Sequence, residues 1–202
     1  MLEYTSILKS RPYLYLEFKK ASALKIQGLN DNDIKYKAVE ENIFAVTTEA
    51  RKREIASTVI NRIKILDEYI LDKIISGNLQ TSKQLALYSI LKTDRLFFEF
   101  MKEVYKEKII LKDYILKDND FDIFFRRKAE QDEKISSWTD YTFYKLGQVY
   151  KRILTEAGFI KKVKREVQII PQIIETEVAK HLKDIGDTAY LEAISGEAYG
   201  HI

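Results

Sequence analysis

Cysteine is absent from this 202-residue chain, and proline (2), tryptophan (1), histidine (2) and glycine (7) are scarce. Without cysteine there are no disulfides, no thiolate zinc sites and no cysteine nucleophile, which fits a reducing compartment. With so few prolines and glycines to interrupt it, a chain rich in isoleucine, leucine, lysine and glutamate is expected to be mainly helical. The histidines stand alone: His181 falls in an acidic amphipathic segment, His201 is the penultimate residue, and neither has a His-x-x-x-His or Glu-x-x-His partner. No glycine-rich phosphate loop occurs. Asp118, Asp120 and Asp122 read as the acidic first turn of a helix rather than as a metal set. Serine and threonine hydroxyls lack a basic partner for nucleophilic use. No catalytic residue, metal or cofactor is assigned, and the chain is expected not to be an enzyme.

Long hydrophobic runs are missing as well. The most apolar stretches, 85–91 and 96–101, are separated by Lys92, Asp94 and Arg95, too short to span a bilayer. Lys9 and Arg11 are followed by Glu17, Lys19 and Lys20, which no signal peptide would carry. No membrane partner and a cytoplasmic location are therefore expected.

Charge is present in quantity, 34 basic against 31 acidic residues for a net +3, and it is unevenly spread. Residues 167–202 hold six acids (Glu175, Glu177, Asp184, Asp187, Glu192, Glu197) against Lys180 and Lys183, or −4, leaving +7 on residues 1–166. A basic body with an acidic tail can present a positive face despite a bland total.

Helical periodicity runs through most of the chain. A first helix is expected over 12–27, ending at Gly28, and a short second one from about Asp33, which would cap it. Ile55, Val59, Ile63, Leu66, Ile70 and Ile74 make one apolar stripe, read as a single helix over 49–75. Thr81 and Asp94 open two more, and a further helix runs from about Leu111 or Asp118 to Lys128, while 129–137 reads as a linker. Together these predict a compact helical bundle over residues 1–135, with an N-terminal helical extension.

Residues 136–202 read as a second unit, winged-helix-like in character. Trp138 would staple a helix capped by Thr139, whose apolar stripe is expected to include Tyr141, Tyr144, Leu146, Val149, Ile153 and Leu154. That helix stops at Gly158 and runs into Lys161, Lys162, Lys164 and Arg165, then the strand 167–170 and Pro171. A helix, a glycine stop and a basic wing is the pattern of a small nucleic-acid-binding module. The wing cations would meet phosphates, though Lys161 and Lys162 could simply complement the helix dipole. Lys145, Gln148, Lys151 and Arg152 share roughly one helical face, which suits a helix lying in a groove, with Gln148 and Arg152 toward base edges. Arg51, Lys52 and Arg53 sit in the first turn of a helix, where they oppose the dipole, and so call for a ligand or an ion-pair partner. Of the 13 tyrosines, only Tyr13 and Tyr15 near Arg11 are expected in an accessible basic setting.

The chain also resembles the BrxA family. The likeness rests on the basic opening of the helix over 49–66, Leu85-Ala86-Leu87-Tyr88, Phe98-Glu99-Phe100 and Trp138-Thr139 with Lys145-Leu146. It is strongest at Leu154-Thr155-Glu156-Ala157-Gly158-Phe159-Ile160, followed by the stretch 169–171 and the closing Ala193-Ile194-Ser195-Gly196. The resemblance implies a small non-catalytic component of a BREX anti-phage defence system. It implies a NusB-like helical body with helix-turn-helix or winged elements, a link to double-stranded DNA, and other BREX proteins as partners. Two alternatives stay open: an RNA-binding NusB-like protein, and a protein-binding scaffold with an exposed apolar patch near 97–105 or 121–125.

Overall fold

The computed structural model describes residues 2–198; His201 lies outside the described residues. Residues 13–93 form one compact unit, and the described residues up to Pro12 and from Asp94 onward form another. The boundary expected at 135/136 falls inside this second unit, for reasons visible in its core.

The first unit is five helices: α1 (Tyr15–Ile26), α2 (Asp31–Val39), α3 (Glu49–Ile63), α4 (Glu68–Ser76) and α5 (Leu79–Thr93). Asn30, not Asp33, caps α2. Its side chain accepts from the Asn32 and Asp33 amides at 2.9 and 3.1 Å, while Asp33 accepts from the Asn30 amide at 3.1 Å, a reciprocal capping box. The single helix read over 49–75 is two. Asp67 ends the continuity by taking an extended backbone and accepting from the Ile70 amide at 2.9 Å, so it starts α4 rather than continuing α3. Ile55, Val59 and Ile63 on α3 and Ile70 and Ile74 on α4 are all buried, so the stripe survives the break that its periodicity hid. The accessible setting expected for Tyr13 and Tyr15 does not hold for Tyr13, and Tyr15 is half-buried. Tyr13 is 1% exposed, donates to the Lys83 carbonyl at 2.7 Å and stacks on Tyr15 at 5.8 Å, while Arg62 donates to the Tyr13 carbonyl at 2.8 Å.

The second unit begins with α6 (Arg95–Phe100), which runs through one π-helical turn (Met101–Tyr105) into α7 (Lys106–Ile110). Asp94 caps it, accepting from the Phe97 amide at 2.9 Å. Then come α8 (Asp118–Gln131), α9 (Glu133–Ser136), α10 (Asp140–Ala157), strands β1 (Ile160–Val163) and β2 (Glu166–Ile169), α11 (Thr176–Asp184) and α12 (Thr188–Ser195). The expected linker at 129–137 is instead the end of α8 and the short α9, which Asp132 caps by accepting from the Ile135 amide at 3.1 Å.

Aromatic packing explains why nothing divides at 135/136. Tyr150 of α10 sits 4.4 Å from Phe97, 5.4 Å from Phe100 and 5.7 Å from Phe125, ring centre to ring centre, and Phe100 stacks on Phe121 at 4.7 Å. Phe97, Phe100, Phe121, Phe124 and Phe125 are all buried, so the apolar patch expected near them for a scaffold is core. The hairpin adds a second tie. β1 and β2 pair antiparallel with Ile160 opposite Ile169 and Val163 opposite Glu166, and residues 114–116 line the other edge of β2. There the Leu116 amide donates to the Val167 carbonyl at 2.9 Å, and the Ile169 amide to Tyr114 at 2.8 Å.

A charged cluster closes one side of this unit. Lys128, buried, pairs with Glu99 at 2.7 Å and Glu103 at 2.5 Å. Glu99 also accepts from Tyr4 at 2.8 Å and Arg95 at 2.8 Å, which fastens the N-terminal segment to α6. Burial raises the Glu99 pKa, but the hydrogen bonds from Lys128, Arg95 and Tyr4 outweigh it and hold the carboxyl below its ordinary range. Each unit is thus mainly α, and the second carries a small C-terminal hairpin.

Candidate nucleic-acid interface

Helix α10 owes its position to both ends. Thr139 caps it, accepting from the Thr142 amide at 3.3 Å, and Trp138 packs on Phe143 at 6.0 Å across the first turn, the expected staple. At the other end Gly158 has φ +84°. This left-handed cap lets the Phe159 amide reach back to the Leu154 carbonyl at 2.8 Å and turns the chain directly into β1.

The buried side of α10 is Leu146, Gly147, Tyr150, Ile153, Leu154 and Ala157. Its outer side is therefore Tyr141, Tyr144, Lys145, Gln148, Lys151, Arg152 and Thr155, spaced by three and four. Lys145, Gln148, Lys151 and Arg152 do share a face, as the spacing implied. Tyr141 and Tyr144 do not belong to the apolar stripe in which they were placed; they are 65% and 60% exposed beside those polar groups. Fixing the helical phase on Leu146, Tyr150 and Ile153 puts both tyrosines outside, and this was the signal available in the sequence.

The four polar positions differ in how free they are. Lys151 is ion-paired to Asp118 and lies 4.9 Å from the Phe121 ring. Arg152 pairs with Glu156 one turn on at 2.7 Å. Lys145 rests over Tyr141 and Tyr144, 5.4 and 5.8 Å from the ring centres, and approaches the Gln148 carboxamide oxygen at 3.5 Å. The Gln148 amide nitrogen donates to the Tyr144 hydroxyl at 2.6 Å.

On the hairpin, Lys161, Lys162, Lys164 and Arg165 are all exposed, and among the described residues none of them forms an ion pair. Lys164 and Arg165 are the two-residue turn itself, since Val163 faces Glu166. Lys164 adopts φ +56°, a left-handed conformation that such hairpins need and that glycine or asparagine usually supplies. One cation went unnoticed in the sequence: the N-terminal segment carries Lys9 to the start of α10, where it donates to Thr142 at 3.3 Å. Only a tertiary contact spanning most of the chain brings it there.

Arg51, Lys52 and Arg53 belong to the other unit. Arg51 pairs with Glu54 at 2.6 Å, Arg53 with Glu49 at 3.3 Å, and Lys52 donates to the Val39 carbonyl at 3.2 Å. Of the two explanations for their unfavourable place on the helix dipole, these contacts supply the ion-pair one. Among the described residues no group of three or more histidines, cysteines or acids could hold a metal ion, and no helix is long and apolar enough to cross a membrane.

A family model described as BrxA matches residues 2–186. The chain belongs to the BrxA family. It is 51% identical over 194 residues to the BREX protein BrxA of Bacillus cereus (strain H3081.97), covering 96% of this chain and 97% of that one. A crystal structure of an uncharacterized protein from Magnetospirillum magneticum superposes with a TM-score of 0.82 at 19% identity, covering 97% of this chain and 100% of the other. At that identity the likeness speaks for a shared fold alone.

Proposed function

We propose that this protein is a non-catalytic, double-stranded DNA-binding component of a BREX-type anti-phage defence system, working beside other BREX proteins. Membership of the BrxA family supports the system, and the second unit supports the duplex. Its order of helix, short edge, helix, helix and hairpin, with β2 between residues 114–116 and β1, supports a winged-helix reading. On this reading α8 and α10 are the helix-turn-helix pair, α10 enters the major groove, and the β1–β2 turn is the wing. The five-helix unit is the NusB-like part of the same proposal.

The observation that carries the reading is the wing: four exposed cations on one hairpin, with no carboxylate among the described residues answering any of them. On α10, Lys151 and Arg152 are held by Asp118 and Glu156, so the wing supplies most of the phosphate contacts and α10 supplies shape, hydrogen bonds and the Lys145 ammonium. Lys9 extends the positive surface to the opposite end of α10. The test is a competition between duplex DNA and a structured RNA by fluorescence anisotropy, each across a salt series. Tighter duplex binding that weakens steeply with salt supports the proposal. Preference for the RNA would point instead to the exposed Tyr141 and Tyr144 as base-stacking platforms. An absence of binding to either at low salt would leave a scaffold, for which Leu111, 75% exposed, with Ile110 and Ile123 is the available apolar surface.

A further inference from the structure

We propose that Gln148 reads an adenine in the major groove and that Tyr144 is the residue that positions it. This inference rests on the duplex-binding reading above and adds a base preference to it. Gln148 stands midway along the outer stripe of α10, with Tyr141, Tyr144 and Lys145 on one side and Lys151, Arg152 and Thr155 on the other. It is exposed, yet both ends of its carboxamide are engaged: the nitrogen donates to the Tyr144 hydroxyl at 2.6 Å, and the oxygen lies 3.5 Å from the Lys145 ammonium.

That pair of neighbours fixes which end is which. An ammonium has only donors, so the carboxamide atom facing Lys145 must be the oxygen. The amide group is thereby left toward the Tyr144 hydroxyl. Only one of its two N–H bonds is used there, and the oxygen keeps a lone pair free. A free N–H beside a free carbonyl is the complement of adenine in the major groove, where N7 accepts and the N6 amino group donates. Guanine offers two acceptors at the same place and would face the carbonyl with its O6. The adjoining Tyr141 and Tyr144 rings are largely exposed and present a flat apolar surface suited to the methyl group of the paired thymine.

The other candidates for base reading on this face are less free. Arg152 is held by Glu156 at 2.7 Å and Lys151 by Asp118, so either must first give up an ion pair. Gln148 gives up nothing but the long contact to Lys145, which is then released toward a phosphate.

The experiment is selection from a duplex pool with a randomised core, using the full chain, the Gln148→Glu variant and the Tyr144→Phe variant, each checked for an unchanged thermal transition. The full chain should enrich a fixed A·T pair, and replacing that pair by G·C should weaken binding by about 5- to 150-fold. Gln148→Glu has only acceptors and should enrich cytosine at the same position, whose N4 amino group donates. Tyr144→Phe should flatten the adenine preference while leaving the salt dependence as it was, which a merely structural tyrosine would not do. A pool that binds with no preferred pair, or an adenine preference that persists in Gln148→Glu, overturns the inference and leaves duplex binding standing. Failure of the full chain to bind any duplex overturns both.

Discussion

Lys164 offers a test in which stability and binding should move in opposite directions. Its φ of +56° costs an L-residue about 1–2 kcal/mol, a penalty glycine does not bear. Glycine in turn loses more freedom on folding, about 0.5–1 kcal/mol. Lys164→Gly should therefore stabilise the protein by about 0.5–1 kcal/mol, a rise in Tm of roughly 1–4 °C for a chain of this size. The same change removes one of the four unpaired wing cations. If Lys164 neutralises one phosphate, its loss should reduce the magnitude of the slope of log K against log salt by about 0.9. That corresponds to about fivefold weaker binding at 0.15 M salt and about fifteenfold at 0.05 M. Lys162→Gly is the matched control. It removes an equal charge from β1, where glycine costs about 0.5–1 kcal/mol, so its Tm should fall while its salt slope changes alike. Calorimetry with anisotropy titrations reads both quantities. A lower Tm for Lys164→Gly would refute the strain at the turn, and an unchanged slope in both variants would refute the phosphate contacts.

Three further perturbations probe the scaffold beneath the interface. Gly158→Ala must place a side chain at φ +84°, and should cost about 1–2 kcal/mol, read as a Tm lower by roughly 2–8 °C. No movement would mean that the α10 cap is not left-handed. Tyr150→Phe should leave stability unchanged or raise it by about 1 kcal/mol, because the buried hydroxyl has no hydrogen-bond partner among the described residues; a clear loss by urea titration would show one. Glu99, with its pKa lowered in the folded state, should contribute stability that is present above its unfolded value near 4.5 and is lost as pH falls through the folded value. Lys128→Met, which leaves Glu99 short of a buried partner, should cost about 3–5 kcal/mol at neutral pH, and less below pH 4; an equal cost at both pH values would contradict the pairing.

Several features of this fold were legible because they are local. Thr139 as a cap, Trp138 as a staple, Gly158 as a left-handed stop and the basic hairpin all act within a few residues, and the sequence carries them openly. Asp67 shows what periodicity conceals: an apolar stripe continues in phase through a helix break, and only the capping hydrogen bond reveals that there are two helices. Aspartate at 118 and glutamate at 156 decide which cations of α10 are free, and Asp118 does so from another helix. The division into units was also nonlocal. Tyr150 packing among Phe97, Phe100 and Phe125 joins segments that the polar stretch at 129–137 suggested were separate. Lys9 is the extreme case, brought to α10 from the far end of the chain.

The most direct measurement is the salt dependence of duplex binding by a chain in which Lys161, Lys162, Lys164 and Arg165 are all glutamine. With the four phosphate contacts gone, the magnitude of the slope should fall by roughly three to four, with affinity lost on every duplex sequence alike. A folded quadruple variant that binds duplex DNA as tightly and with the same slope as the parent would contradict the wing as the seat of binding.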